Sequence, residues 1–384
     1  MKVLIVSEPG MNGSFRIVEG LVRYLIEKNH EVHLAYSDRR DGDPGRLVSF
    51  VREHGGESLN LGVGNVPEPR DLVALWRLWA LARRVRPAVI HVHSSKAGVL
   101  GRALPWLGIR AKFFYTAHGY YGLAPRPGLM PHIFNTVERV LGSTGTTVAL
   151  SQGEERFALD QLRVPPEKVR LISNPVNGET FHPASSEERH AARAELGLPQ
   201  EAIVLGMMTR LVFQKDPLAI YRALAPLLAS HPHLVLFHVG RGELEAEVDA
   251  AARAFGSRVV RWRYLDQPAI FHCAVDALVL TSRYEGLPSV ILEALASGLP
   301  VITTLAPGAS HFAEAGLSHV WGAALNDPVA LTNAIQMWLD DLPRQRPSNH
   351  RLWVLERYSV ENTLGVLLKA YREAITERAG GQAC

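Results

Sequence analysis

Two glutamates, Glu285 and Glu293, stand out in the stretch RYEGLPSVILEALASGLPVI at 283–302. A Gly-Leu-Pro-Ser turn follows the first, an Ala/Leu-rich pattern of helical spacing carries the second, and a Gly-Leu-Pro break leads into an apolar run. The pattern predicts a helix that begins at Pro288-Ser289 and points the free N–H groups of its first turn back at the loop. Such an end attracts anions, phosphate above all, through its unpaired donors and the helix dipole. Two carboxylates beside a phosphate would repel it unless they hold something neutral, and the neutral groups that carboxylates bind strongly are hydroxyls. One glutamate could then hold a sugar and the other a ribose, with a diphosphate between them on the helix end. Taken alone, the pair also fits a plain segment, with a solvent-facing glutamate before a helix and another on its polar face.

A second set sharpens the choice. MMTRLVFQKDPLAIYRAL puts Arg210 and Lys215 in a loop between a strand and a helix, where two cations facing the helix end across a cleft would complete a diphosphate site. They would also stabilise a departing nucleoside diphosphate without a metal. Each cation singly reads as a surface residue; together with the glutamates they read as a site. Gly240-Arg241-Gly242 follows another strand in HVGRGELEAEV. It lacks the third glycine of a dinucleotide fingerprint but permits close backbone approach to a nucleotide. Asp41 to Asp43, DGD, has the form of a metal-binding Asp-x-Asp, but in the polar loop SDRRDGDPGR it reads as a solvated turn, and no metal is expected.

These residues need a scaffold. Short apolar runs at 2–7, 31–36, 88–93, 112–117 and 146–150 alternate with helical spacing at 16–28 and 70–85. Continuous apolar strands between helices predict a parallel sheet covered on both faces. The rhythm restarts at 203–208, 234–239, 258–264, 277–281 and 300–304, so the architecture occurs twice. Turn residues in NPVNGETFHPASSEERH place the boundary near 174–190, and YSVENTLGVLLKAYREAITERA predicts a final helix over 360–378. The expected layout is α/β: a Rossmann-like acceptor-binding domain over 1–178, a donor-binding one over 179–357, and 358–384 returning to the first domain with a short tail. Two such domains make a cleft beyond the carboxyl ends of their strands, where ligands bind.

Composition agrees. The chain has 384 residues, 47% hydrophobic and 21% charged, enough for two buried cores. A net charge of +3 without long basic tracts gives no sign of nucleic-acid binding. Two cysteines, Cys273 and Cys384, are too few for a disulfide framework and fit a reducing, cytoplasmic setting. The opening MKVLIVSEPG reads as a buried strand rather than a signal segment, and no apolar window is long enough to span a bilayer. Two segments suit the cytoplasmic face of an anionic membrane: 69–87, which combines Trp76 and Trp79 with Arg77, Arg83, Arg84 and Arg86, and the aromatic, proline-broken 120–142. The first also reads as a core-packing helix with a cationic end.

TRLVFQK, VGRGEL, DALVLTSRYEGLPSVILEALASGLPVI and NDPVALTNAI come in the order and spacing of the family 4 retaining glycosyltransferases of GT-B fold, which this chain resembles over nearly its whole length. The resemblance implies an NDP-sugar donor, with a UDP-hexose or UDP-N-acetylhexosamine expected. Arg210 and Lys215 would bind its diphosphate, and Glu285 with Gly286, Leu287, Pro288 and Ser289 its sugar and phosphate. Glu293 would accept from the ribose, and the base would lie near Gly240, Arg241, Tyr264 and Leu265.

IHVHSSKAGVLGR, TAHGYYG, LSQGE and ISNPVNGETF match the family's first half, in members that build envelope polysaccharides and lipid-linked oligosaccharides. His118 corresponds to the histidine beside the transferred sugar, and Gly10 to Ser14, including Gly13 and Ser14, to the loop over the donor phosphates. Lys96, Tyr120 and Tyr121 are the expected acceptor contacts. Thr209 and Asp216 stand where glycine is usual, and His311 where many members have glutamate. The resemblance implies retention of configuration with the leaving phosphate helping to deprotonate a glycan or polyprenyl-diphosphate-linked acceptor, and no cofactor. Two other functions use the same donor chemistry: an NDP-sugar 2-epimerase or hydrolase, and a non-catalytic nucleotide-sugar-binding partner.

Overall fold

The computed structural model describes residues 1–8, 13–39, 44–64, 67–123, 128–342 and 349–380, and the side chains of these up to 377. Gly10 to Asn12 of the expected phosphate loop, the Asp41–Asp43 turn, residues 124–127 of the aromatic segment and Cys384 lie outside them. The chain divides into two units, one made of 1–175 with the returning 361–380, the other of Val176–Val360.

The first unit is built on a seven-stranded sheet in the order β3-β2-β1-β4-β5-β6-β7. Its strands are β1 Lys2–Ser7, β2 Glu31–Tyr36, β3 Ser58–Asn60, β4 Val89–His93, β5 Lys112–Thr116, β6 Thr146–Ala149 and β7 Val169–Leu171. The second has six, in the order β10-β9-β8-β11-β12-β13: β8 Ile203–Met208, β9 Leu234–Val239, β10 Val259–Trp262, β11 Ala277–Leu280, β12 Val301–Thr304 and β13 Val320–Ala323. Every pairing is parallel. Val3 to Val6, Val89 to Val92 and Ala277 to Leu280 are all buried, because helices cover both faces and leave no polar side to alternate with.

All ten predicted strands are present, most with ends moved by a residue or two. β3, β7 and β13 are additional. They are three or four residues long and only partly buried, so pairing at a sheet edge rather than an apolar run defines them. Helix starts follow legible chemistry. Ser185 and Glu188 form a reciprocal capping box before Ser186–Leu196, and Asp327 accepts from Val329 N–H and Ala330 N–H before Pro328–Asp341. The expected final helix over 360–378 is present: a π-helical turn at Glu361–Gly365 runs on into Val366–Gly380. A separate helix, His350–Tyr358, stops before it at Ser359. Val176 N–H donates to Tyr358 O at 2.7 Å and bridges to Ser359 at that stop.

Strand order reverses in each sheet, between β1 and β4 and between β8 and β11. Loops leaving the carboxyl ends of those pairs diverge to opposite faces and leave a crevice, which is where open α/β sheets take ligands.

Candidate functional site

β11 pairs directly with β8, so the loops after these strands lie side by side. The β8 loop carries Lys215 at the end of a single turn, Phe213–Lys215. Its ammonium donates to both carboxylate oxygens of Glu285, at 2.5 and 2.7 Å, and Ser282 Oγ donates to Oε1 at 2.5 Å. Thr281 Oγ1 donates to the carbonyls of Lys215 and Asp216, Gln214 Nε2 to Tyr284 O, and Arg283 N–H to Gln214 O, which laces the two loops together. Burial pulls the Lys215 ammonium below its ordinary range, while Glu285 opposes that shift. Arg210 is exposed and donates to Gln214 Oε1 at 3.2 Å.

One expectation needs correcting. Arg210 and Lys215 do not face the glutamate helix across a cleft; they share its unit and its sheet, because β8 and β11 are neighbours. Asp216, where glycine is usual, has φ +39° and pairs with Arg283 at 2.7 Å.

The Ser289–Ala296 helix starts at the predicted place, and Pro288 gives its first turn no side-chain cap. Ile291 N–H donates to Pro288 O at 3.1 Å, and no capping side chain competes with an anion for the N–H groups before it. Glu293 lies in the second turn, buried, with His272 Nε2 3.3 Å from Oε2. Glu285 N–H donates to Pro307 O at 2.8 Å, and a Cβ on Gly308 would fall 2.2 Å from Glu285 O and 2.6 Å from Gly286 O. Glycine there lets the β12 loop support the glutamate loop.

The paired glycines of the β9 loop serve a similar end. A Cβ on Gly240 would meet Thr209 O at 1.9 Å, and one on Gly242 Leu211 O at 2.4 Å. The close approach they permit is therefore to the backbone on either side of Arg210, with Leu211 N–H bonded to Arg241 O at 2.9 Å. Arg241 lies over the half-exposed Tyr264 ring at 5.6 Å, while Leu265 is buried beneath the same segment's surface. That pair offers a flat aromatic and a cation, which suits a heterocyclic base.

In the first unit, Glu8 follows β1 and its Oε2 accepts from Ala97 N–H at 2.9 Å, on the helix after β4. Gly13 and Ser14 open the Gly13–Glu27 helix. His118 follows β5 with φ +56°, and Gly119 with φ +106°. His118 Nε2 is 3.1 Å from His93 Nδ1, and the two rings stack at 5.3 Å. The His91 ring lies 4.0 Å from that of His93, tilted by 33°; its Nε2 is 2.9 Å from Thr116 Oγ1, and its Nδ1 meets the Tyr371 hydroxyl. Burial holds His118 down to about 4 and His91 to about 3, so both are neutral near pH 7. The buried Glu154 carboxylate accepts from Gly119 N–H at 2.6 Å and Leu150 N–H at 2.8 Å, and burial raises it to about 7.

The expected acceptor contacts do not come together. Lys96 is bound to Asp71 at 2.9 Å and to Gly64 O at 3.0 Å, with little of its side chain exposed. Tyr120 is buried against Phe157 and Tyr115 in the core. Tyr121, beside Phe134 at 4.8 Å, is partly exposed. A tyrosine pair after a strand reads as a binding surface in sequence, but here one ring fills the layer under the other.

Sequence reasoning missed Ser282, His272, His93 and Glu154. For His93 a signal existed: HVH places His91 and His93 on one face of a strand. Glu154 follows Ser151 by three residues, which reads as an N-terminal capping pair, and Ser151 Oγ does accept from its N–H.

Residues 11–180 match the family model described as Glycosyltransferase Family 4, and residues 188–351 the one described as Glycosyl transferases group 1. The chain is 29% identical over 252 residues to the UDP-Gal:alpha-D-GlcNAc-diphosphoundecaprenol alpha-1,3-galactosyltransferase of Escherichia coli, which covers 62% of this chain and 63% of that protein. It is also 29% identical over 259 residues to the D-inositol 3-phosphate glycosyltransferase of Stackebrandtia nassauensis, covering 63% and 57%. The chain thus spans less than two thirds of the length of these relatives. Among solved structures it is similar to Anabaena HepE in complex with UDP and glucose, with a TM-score of 0.80 and 18% identity over 96% of this chain and 99% of that one. Sucrose-phosphate synthase from Thermosynechococcus elongatus gives a TM-score of 0.81 and 20% identity over 98% and 100%. The last two likenesses are likenesses of fold.

Proposed function

The chain belongs to the family 4 glycosyltransferases of GT-B fold, and on that premise we propose that it moves a sugar from a nucleotide-sugar to a hydroxyl of a glycan or a polyprenyl-diphosphate-linked sugar. One observation carries this reading: Lys215 and Glu285 meet at the β8/β11 reversal, beside a helix end that no side chain caps. Cation, carboxylate and free N–H groups together suit a molecule that is part diphosphate and part polyol.

Arg210, Lys215 and the first turn of Ser289–Ala296 take the diphosphate, with Gly286 to Pro288 shaping the approach. Glu285 holds the sugar and Glu293 the ribose, while Arg241 and Tyr264 hold the base. His118 lies beside the transferred sugar. The bond between the anomeric carbon and the phosphate oxygen breaks, and the acceptor oxygen bonds to that carbon on the same face. Its proton passes to the departing phosphate, so configuration is retained. Lys215 and Arg210 offset the negative charge that grows on the leaving group, in place of a metal. A relative acts on UDP-Gal and a solved neighbour binds UDP and glucose, which favours a UDP-hexose or UDP-N-acetylhexosamine.

Peripheral contact with an anionic membrane belongs to the same reading. Leu72, Val73 and Trp76 are exposed on the Arg70–Val85 helix beside the exposed Arg77. Leu129, Met130, Ile133 and Val140 are exposed on and just before the Met130–Leu141 helix. No helix among the described residues is long and apolar enough to cross a bilayer, whereas apolar faces with flanking arginines suit its surface.

The test incubates purified protein with a panel of UDP-, GDP- and ADP-sugars, with and without an N-acetylglucosaminyl-diphosphate-lipid acceptor, with chelator present. The expected result is an acceptor-dependent product whose anomeric configuration by NMR is that of the donor, and its loss in Glu285→Ala. Consumption of donor without acceptor would turn the reading to hydrolysis or epimerisation. Binding across the panel without consumption would turn it to a non-catalytic partner.

A further inference from the structure

We propose that His93 is a positioning residue for His118: it donates its Nδ1–H to His118 Nε2 and so fixes the proton of His118 on Nδ1, the nitrogen that offers a hydrogen bond to the donor sugar. The role of His118 beside that sugar rests on the function proposed above; the position of the proton does not.

The strands create the pair. His91 and His93 stand two residues apart on β4 and share one face of it. In the β4–β5 register His93 lies opposite Thr116, and His118 follows two residues later. The left-handed His118 then turns its ring onto His93, with Nε2 3.1 Å from Nδ1. Gly119, also left-handed, anchors the turn through its N–H to Glu154. The ring of His93 is held from the other side by His91, which Thr116 and Tyr371 fix in turn.

Burial keeps both histidines of the pair uncharged, so a single proton lies between the two nitrogens. The direction of that bond decides which nitrogen His118 has left to offer. If His118 donated from Nε2, His93 would accept at Nδ1 and carry its own proton on Nε2. That nitrogen is buried and has no partner. It would then be an orphaned N–H, the rarest kind of unsatisfied group in a protein interior. In the opposite direction His93 Nε2 is only a lone pair, which is the less expensive of the two to leave alone. His118 is then held with its proton on Nδ1, and no partner for that nitrogen is recorded among the described residues. It is a fixed donor for an oxygen.

Nitrogen-15 NMR of histidine-labelled protein near neutral pH reads the tautomer directly, with the His118 signals identified by their loss in His118→Gln. The expected spectrum has His118 protonated on Nδ1 and bare on Nε2. In His93→Asn the amide nitrogen takes the place of Nδ1 and keeps this signature; in His93→Leu the signature is lost to a mixture. In transfer assays His93→Leu lowers kcat at least about tenfold with donor KM little changed, and His93→Asn recovers most of the loss. A wild-type spectrum with the His118 proton on Nε2 overturns the proposal, as does His93→Leu with an unaltered signature and kcat. Should His93→Leu fail to fold, the wild-type spectrum and His93→Asn still decide. A wild-type enzyme that transfers nothing would fail the functional reading alone, since the proton is read without turnover.

Discussion

Lys215 and Glu285, seventy residues apart in the chain, form a part-buried two-pronged ion pair between the loops of neighbouring strands, with the ammonium 2.5 and 2.7 Å from the carboxylate oxygens. A lysine has three protons to donate, and this pair uses two. In the proposed reaction the same two side chains meet the phosphate and the sugar, so they act as one unit. Glu285→Ala and Lys215→Ala should each slow transfer by about 10²- to 10³-fold. The double variant should be nearly as fast as either single one, because removing one partner already disables the other. Lys215→Ala also leaves the buried Glu285 charge unpaired and should lose about 3 kcal/mol of stability, whereas Glu285→Ala leaves the partly exposed Lys215 and should lose less. A double-mutant cycle on kcat, run below the melting temperature of the weakest variant, checks this; additive losses would separate the two residues.

Gly308 gives a second prediction. Its φ of +82° and the 2.2 Å approach to Glu285 O leave no room for a methyl group, whereas Gly197, φ +68°, has nothing within 4 Å of its Cβ position. Gly197→Ala should cost about 1 kcal/mol, the ordinary penalty of that backbone region, and leave transfer intact. Gly308→Ala should cost more and also displace the Glu285 backbone, with a fall in kcat. Paired urea melts and rate measurements distinguish the two.

Acid should destabilise the protein from below about pH 6.5 onward. Burial holds His91 and His238 to about 3, His118 and His311 to about 4, and His93 well below its usual value. Unfolded, each of these takes up a proton near 6.5, so the unfolded state binds more protons and stability falls with pH. The contribution is complete above 6.5 and is lost as pH falls toward 4 and then 3. Melts at about pH 7.5 and about pH 5 should show the drop.

Glu154 works in the opposite sense. Its carboxyl, raised to about 7 against 4.5 unfolded, stabilises the fold when protonated, fully below 4.5, and this is lost as pH rises through 7. Glu154→Gln removes that compensation and offers one acceptor where two N–H groups need one each. The variant should lose about 1–3 kcal/mol near neutrality and show a steeper acid decline than wild type. Equal slopes in the two proteins would refute this account of Glu154.

The large strands and the loops that follow them are legible because a strand buried on both faces leaves an unbroken apolar run, as at KVLIVS and IVLGMM. Arg210, Lys215, Glu285 and Glu293 are legible as residue types at the ends of such runs. Their pairing is not, since it depends on β8 and β11 becoming neighbours, and sequence order does not give sheet order. The glycines at 240 and 242 are recognisable as points of close approach, but only the fold says that the neighbour is the Thr209–Leu211 backbone. Tyr120 misleads for a related reason: its ring packs against Phe157, a partner that lies far along the chain.

The stop at Ser359 also sets an order of completion during synthesis. Tyr371 packs on Phe114 at 4.7 Å and closes the His91 site, and Glu361 bonds to Tyr24 and Lys28. The unit that holds β1 to β7 is therefore completed only after Val176–Val360 has been made. A nascent chain carries the β4 histidines without their tyrosine cover until all of Val176–Val360 and the first half of the returning segment have been made.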